Sequence, residues 1–308
     1  MLTYIVRKLL YSIVILFGVI TVTFALMYVI PGDPARLMLG QRADVASIEA
    51  IRKQLGLDDP LYIQYFRFIG KAVQGDLGRS YSSNRDVLKT ILETFPATAL
   101  LAFSSLLLSS IVGVIIGLIS AVKPYSLRDN LSMLFALFGI SFPPFALGLI
   151  MALVFGSLLK WFPISGYVNN GIIYLILPML TLAFRPLAII ARLTRSSMLD
   201  VLGQDYVRTA RAKGVAAWKV TIKHALRNAL NPVITTISAW LAALLGGAFF
   251  IEYVFNWPGI GLLAINSILS LDFPMIQGTV LFTAVIFIIV NMIVDILYAF
   301  LDPKVKLS

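Results

Sequence analysis

No cysteine occurs among the 308 residues, and histidine occurs once, at His224. The first absence excludes a disulfide framework and thiolate metal sites, and the second excludes a histidine cluster. Charge is scarce too, at 13% of the chain against 59% hydrophobic, and mean hydropathy reaches +0.91. A soluble domain of this length rarely combines such values. No G-x-x-x-x-G-K-[ST] stretch occurs, so the chain lacks the usual phosphate-cradling loop for ATP. We expect no catalytic residue, no metal and no cofactor. Energy for any work done here must come from another polypeptide or from an ion gradient.

What is present is a series of uncharged runs, each long enough to cross a bilayer, which takes roughly 20 residues. They cover residues 9–30, 97–122, 131–159, 172–184 (extending through Arg185 to Ala191), 232–251 and 274–294. Six runs predict an all-α membrane protein with six transmembrane helices. The N-terminus, MLTYIVRKLLYSIVILFGVI, has the basic start of a signal peptide, but its apolar run continues and no small-residue cleavage site follows. It reads as a retained first span.

Lys and Arg favour the cytoplasmic side of short loops, so alternate loops test the topology. The N-terminus, residues 123–130, residues 192–231 and the tail from Asp302 together hold 14 Lys and Arg against 4 Asp and Glu. Residues 31–96, 160–171 and 252–273 hold 10 against 10. The formal charge of +10 therefore belongs to one face, and both termini are expected in the cytoplasm. Topology explains the basic balance without a nucleic-acid partner.

The outward segment 31–96 carries helical signals of its own. ADVASIEAIRKQLG places Val45, Ile48, Ile51 and Leu55 on one face and ends at Gly56, while PLYIQYFRFIGKAVQG starts at Pro60 and stops at Gly75. Two short outer helices follow, either a lid or docking platform or a cover over the bundle's end.

The densest basic stretch is GQDYVRTARAKGVAAWKVTIKHALRNALNP, residues 203–232. In its first half Val207, Ala210 and Gly214 recur on one side at helical spacing, a small-residue face that lets another surface approach closely. The turn falls at Lys213 and Gly214. Beyond it Trp218, Ile222, Ala225, Leu226, Ala229 and Leu230 form an apolar stripe, opposite Lys219, Lys223 and Arg227. Two helices joined by a glycine are expected. A hairpin resting on anionic lipid headgroups accounts for the second half, but the small face of the first suits a protein partner.

DYVRTARAKG…HALRNALNP, together with PGDP at 31–34, GDLGRSY at 75–81, RLTRSSMLDVL at 192–202 and EYVFNWPGIG at 252–261, resembles the B-type permease subunit of bacterial dipeptide/oligopeptide ABC importers. The likeness covers essentially the whole chain. It implies a type I ABC importer permease fold with a short helical extracytoplasmic insertion after the first helix, in the bacterial inner membrane. Segments follow as 1–30 (first helix), 31–95 (outer insertion), 96–302 (permease domain, with the cytoplasmic coupling loop 192–231) and 303–308 (tail). The implied partners are a homologous permease subunit, two ATP-binding subunits, an extracytoplasmic substrate-binding protein and membrane lipid. The EAA-type coupling segment of that family falls here on Asp205, Tyr206, Val207, Arg208, Ala210, Arg211, Lys213 and Gly214. Arg208 and Thr209 stand where the generic pattern has Glu and Ala, and Arg227 where it has a proline, which comes instead at Pro232. The implied cargo is a di- or oligopeptide carried by alternating access, with a nickel chelate, glutathione or a sugar as alternatives.

A secondary transporter, the competing class, places ionisable residues or broken helices at mid-membrane. The candidates are Arg185, Asp295 and the FPPF break at 142–145, and a structural ion pair or interfacial anchoring is expected of the two charges. An intramembrane protease fares worse, since Ser104–Ser105 and Ser109–Ser110 have no membrane histidine to activate them. Gly113 and Gly117 form a GxxxG that fits packing inside the bundle or against a second permease.

Overall fold

The computed structural model describes residues 2–29, 35–36 and 44–301 and is almost entirely helical. In chain order α1 is Leu2–Val29, α2 Val45–Leu55, α3 Leu61–Val73, α4 Val87–Val122 and α5 Leu127–Ser141. α6 is Pro144–Leu158, α7 Ile173–Leu202, α8 Asp205–Ala212 and α9 Ala217–Leu245. α10 Phe249–Val254, α11 Ile260–Leu269 and α12 Phe273–Leu301 complete the chain. Among the described residues five helices are long and apolar enough to cross a membrane, and a bent pair makes a sixth span. The PGDP motif lies outside the described residues.

The central seam is α4 against α7. α4 buries Ala102, Ser105, Ser109, Gly113, Gly117 and Ser120, small residues at three- and four-residue spacing that let two backbones close up without help from water. A Cβ on Gly113 would lie 2.9 Å from Ile190 Cγ2, and one on Gly117 2.5 Å from the Ala191 carbonyl oxygen. The GxxxG therefore serves packing inside this bundle.

The third span is not one helix from 131 to 159. α5 and α6 meet at 106°. Pro144 occupies the first turn of α6, and Phe142 before the two prolines is extended (φ −81°, ψ 129°), because a residue preceding proline is pushed out of the helical region. The fifth run also departs from expectation. Its helix starts at Ala217, so the second half of the basic hairpin continues directly into the membrane span, and it stops at Leu245, before Gly247 (φ 113°).

Both outer helices form as read. The Asp44 carboxylate accepts the Ser47 N–H (3.2 Å) at the start of α2, and Gly56 ends it in the left-handed conformation. α3 lies along α1, where the Tyr65 hydroxyl meets Thr21 Oγ1 at 2.6 Å and its ring packs on Phe24.

Candidate functional site

Charge divides the bundle into two ends. The basic end collects the start of α1, the turn between α4 and α5, and the hairpin formed by α8 and the first turns of α9. The far end collects α2, α3, α10, α11 and the turn at residues 75–86.

α8 is held on one side only. Val207 is fully buried and Ala210 nearly so, both packed with Val201, Leu202, Val215 and Val220 of the same chain. The small-residue face thus closes on the chain's own helices, which corrects the expectation that Val207, Ala210 and Gly214 form the approach surface for something else. Gly214 has φ 76°, and a Cβ there would meet nothing within 4 Å. Its role is the left-handed turn that ends α8, where its N–H reaches the Arg211 carbonyl at 3.0 Å. The opposite face, with Asp205, Tyr206, Arg208, Thr209, Arg211 and Lys213, is exposed. The Asn228 amide donates to the Tyr206 hydroxyl at 2.8 Å, tying α8 to α9.

The apolar stripe beyond the turn splits in two. Trp218 and Ile222 stay exposed, whereas Ala225 and Ala229 are buried against Ala121 and Met198. Between them, Val220–Leu226 is wound as a π-helix, and a wider turn rotates later side chains relative to earlier ones. A buried ionic contact braces this end. Asp129, almost fully buried, receives two hydrogen bonds from the Arg195 guanidinium (Nη2 at 2.6 Å) and the Tyr125 N–H at 2.7 Å. It clamps the α4–α5 turn onto α7, ten residues before α8 begins at Asp205. Sequence reading counted Asp129 only as a charge.

The far end is pinned by two buried carboxylates. Glu252 accepts Thr98 Oγ1 at 2.8 Å and the N–H groups of Gly261 and Leu262 at 2.7 and 3.1 Å, so it caps the start of α11 and anchors it on α4. Burial pushes its carboxyl above the ordinary value, against the downward pull of those hydrogen bonds. A Cβ on Gly259 would lie 2.4 Å from Glu252 Oε2, and Trp257 donates to the Ala97 carbonyl at 2.8 Å. EYVFNWPGIG is thus a single packed joint. Asp272 does the same for GDLGRSY: it takes Ser80 Oγ, Ser82 Oγ (2.9 Å) and the Tyr81 N–H (3.0 Å) at the start of α12.

These carboxylate-pinned joints and the supported, outward-facing α8 fall on the motifs that suggested a transport subunit. Residues 113–307 match the family described as binding-protein-dependent transport system inner membrane component, and residues 1–102 match its N-terminal counterpart. The chain belongs to this family. It is 45% identical over 306 residues, 99% of both chains, to the glutathione transport system permease protein GsiC of Escherichia coli strain K12. The same protein of Shigella boydii serotype 4 is 44% identical over the same coverage. The fold is similar to a chain of the MetNI methionine ABC transporter in an inward-facing conformation, with a TM-score of 0.54 at 16% identity, covering 70% of this chain and 97% of that one. As a permease of this family the chain is a multi-pass membrane subunit of an ABC importer, working with another permease, ATPase subunits and a binding protein, and ATP is hydrolysed in separate subunits.

Proposed function

We propose that this permease forms, with a homologous subunit, the path for short peptides, and that α8 is the surface on which an ATP-binding subunit rests. The observation that carries this reading is the one-sided burial of α8: Val207 and Ala210 lock it to α7 and α9, leaving Arg208, Arg211 and Lys213 outward. A push on that face passes directly into two membrane spans. With the positive face inward, α8 and both termini lie in the cytoplasm, and the insertion at α2 and α3 lies outside. There a polar groove of about 490 Å³ between α3, the 76–86 turn and α12, lined by Arg67, Lys71, Arg79 and Asp76, suits delivery by a binding protein.

Di- and oligopeptides remain the cargo class. Glutathione, carried in the names of the relatives and given above as an alternative cargo, is a tripeptide, so the relatives favour that alternative while staying compatible with a peptide importer. The test is uptake into proteoliposomes holding the complete complex, with glutathione and di- and tripeptides as probes. Uptake that needs ATP and the binding protein is expected. Accumulation by this chain alone under a proton or sodium gradient would overturn the reading in favour of a secondary transporter.

A further inference from the structure

Lys8 of α1 forms an ion pair with Asp295 of α12, and Arg195 is held by Asp129. Arg185 of α7 is exposed, and among the described residues no acceptor or acidic group contacts it. It was expected to share a structural pair or to anchor at the interface, yet Asp295 is taken by Lys8. Arg185 lies twelve residues into α7, about 18 Å from its start at 1.5 Å per residue, and seven residues (about 10 Å) before Arg192. A guanidinium at that depth is costly to hold against lipid.

Beyond the half-buried Ile189, the same side of the helix is polar. Arg192, Ser196 and Asp200 follow at seven, eleven and fifteen residues, all exposed and within about 60° of the direction of Arg185 at 100° per residue. Much of the rest of α7 is buried against α4, α5 and α9, although Ile173 and Leu180 in its first turns stay exposed. That polar stretch belongs to the cytoplasmic part of α7, but Arg185 lies within the span, and an exposed guanidinium there does not suit lipid; it suits water between two permease subunits. We propose that Arg185 lines the aqueous pathway and pairs with the carboxylate of the passing cargo, so that the permease itself favours peptides with a free C-terminal carboxylate. A planar guanidinium offers a carboxylate two parallel hydrogen bonds, and partial hydration at the path keeps the pair weak enough to release. This inference rests on the peptide-importer reading.

Two measurements on the complete importer test it. Because the chain has no cysteine, Arg185→Cys introduces its single thiol. In inside-out vesicles, a charged, membrane-impermeant methanethiosulfonate should modify it at least about tenfold faster than Leu107→Cys on the outer face of α4, since the reactive thiolate is suppressed in hydrocarbon. Equal rates would place Arg185 against lipid and overturn the proposal. In the second measurement the probe is whichever of glycyl-leucine, tri-alanine and glutathione the wild-type complex imports fastest, beside its C-terminal amide, both at concentrations that saturate the binding protein. Arg185→Gln should lower uptake of the free acid about tenfold, the worth of one charge-assisted pair, and leave the amide near wild type. Arg185→Lys should recover most of the loss. Equal losses for acid and amide, loss of the second permease from the purified complex, or no loss at all would each overturn it. Failure of the wild-type complex to import any probe would sink the peptide reading instead, while thiol reactivity still reports whether position 185 faces water.

Discussion

The two ends of the bundle hold their helices by opposite means. At the far end Glu252 and Asp272 are buried carboxylates that gather donors from two chain segments each and cap the starts of α11 and α12. At the basic end α8 begins without any side-chain cap, and its charges point away from the protein. One end consumes its polar groups internally and is rigid by construction. The other leaves them available and depends on apolar contacts at Val207 and Ala210 for its position. A surface that must receive a partner repeatedly needs the second arrangement, because a hydrogen bond already satisfied inside offers nothing to a newcomer.

The sharpest way to break the contrast is at Glu252. Glu252→Ala leaves Thr98 Oγ1 and the Gly261 and Leu262 N–H groups buried without their acceptor, at roughly 1–3 kcal/mol each. Thermal unfolding of the purified complex, followed through the buried Trp257, should show a loss of roughly 3–9 kcal/mol, and Glu252→Gln a smaller one. A wild-type midpoint for the alanine variant would show that this end is not held by its carboxylates.

Packing at the seam between the ends comes next. Gly117→Leu forces a Cβ to within 2.5 Å of the Ala191 carbonyl, and overpacking of this kind costs roughly 1–3 kcal/mol. Gly18→Leu on α1, where a Cβ meets nothing within 4 Å, is the matched control and should unfold with wild type. Parity between the two would mean that α4 and α7 do not rely on their small-residue contact.

Composition and period made the spans readable, since an uncharged run of bilayer length has few other fates in a chain this apolar. The two outer helices were readable for a local reason, because Asp44 and Gly56 are cap residues at the right spacing. Partnerships distant in sequence were not. Asp129 meets Arg195 across 66 residues and Ser80 meets Asp272 across 192, and no periodicity reports such pairings. The basic hairpin was legible as two helices meeting near Gly214, but which neighbour its small-residue face would meet was not. A small-residue face admits close approach from any neighbour, and helical spacing alone does not say whether that neighbour is another protein or the next helix of the same chain.

At the clamp, Asp129→Asn should destabilise less than either change above. The carboxylate is nearly fully buried, but the Arg195 side chain keeps 19% of its surface in solvent, so the freed guanidinium can hydrate. About 1–2 kcal/mol is expected, below the figure for a pair sealed from water. The same variant should loosen the turn before α5, seen as faster proteolysis or hydrogen exchange around Tyr125. Unchanged exchange there would mean that the ion pair does not hold the turn.

The smallest effect on stability should accompany the largest effect on coupling. Arg208 and Arg211 are exposed, and the Arg208–Asp205 contact, at 3.5 Å with both side chains mostly in water, adds little. Reversing both charges, Arg208→Glu with Arg211→Glu, should move unfolding by no more than about 0.5 kcal/mol, as for other surface changes. If the outward face of α8 receives the ATP-binding subunit, the same variant should fail to retain that subunit on purification, or should hydrolyse ATP without importing cargo. Ala210→Arg makes the contrast informative. It drives a charge into the contact with Val201, Leu202 and Val215 and should damage the chain's own packing first, so its loss of transport comes with a lowered midpoint. Should the double charge reversal keep normal subunit retention and coupled transport while Ala210→Arg merely unfolds, α8 is a structural brace, and the ATP-binding subunit docks elsewhere on the basic end.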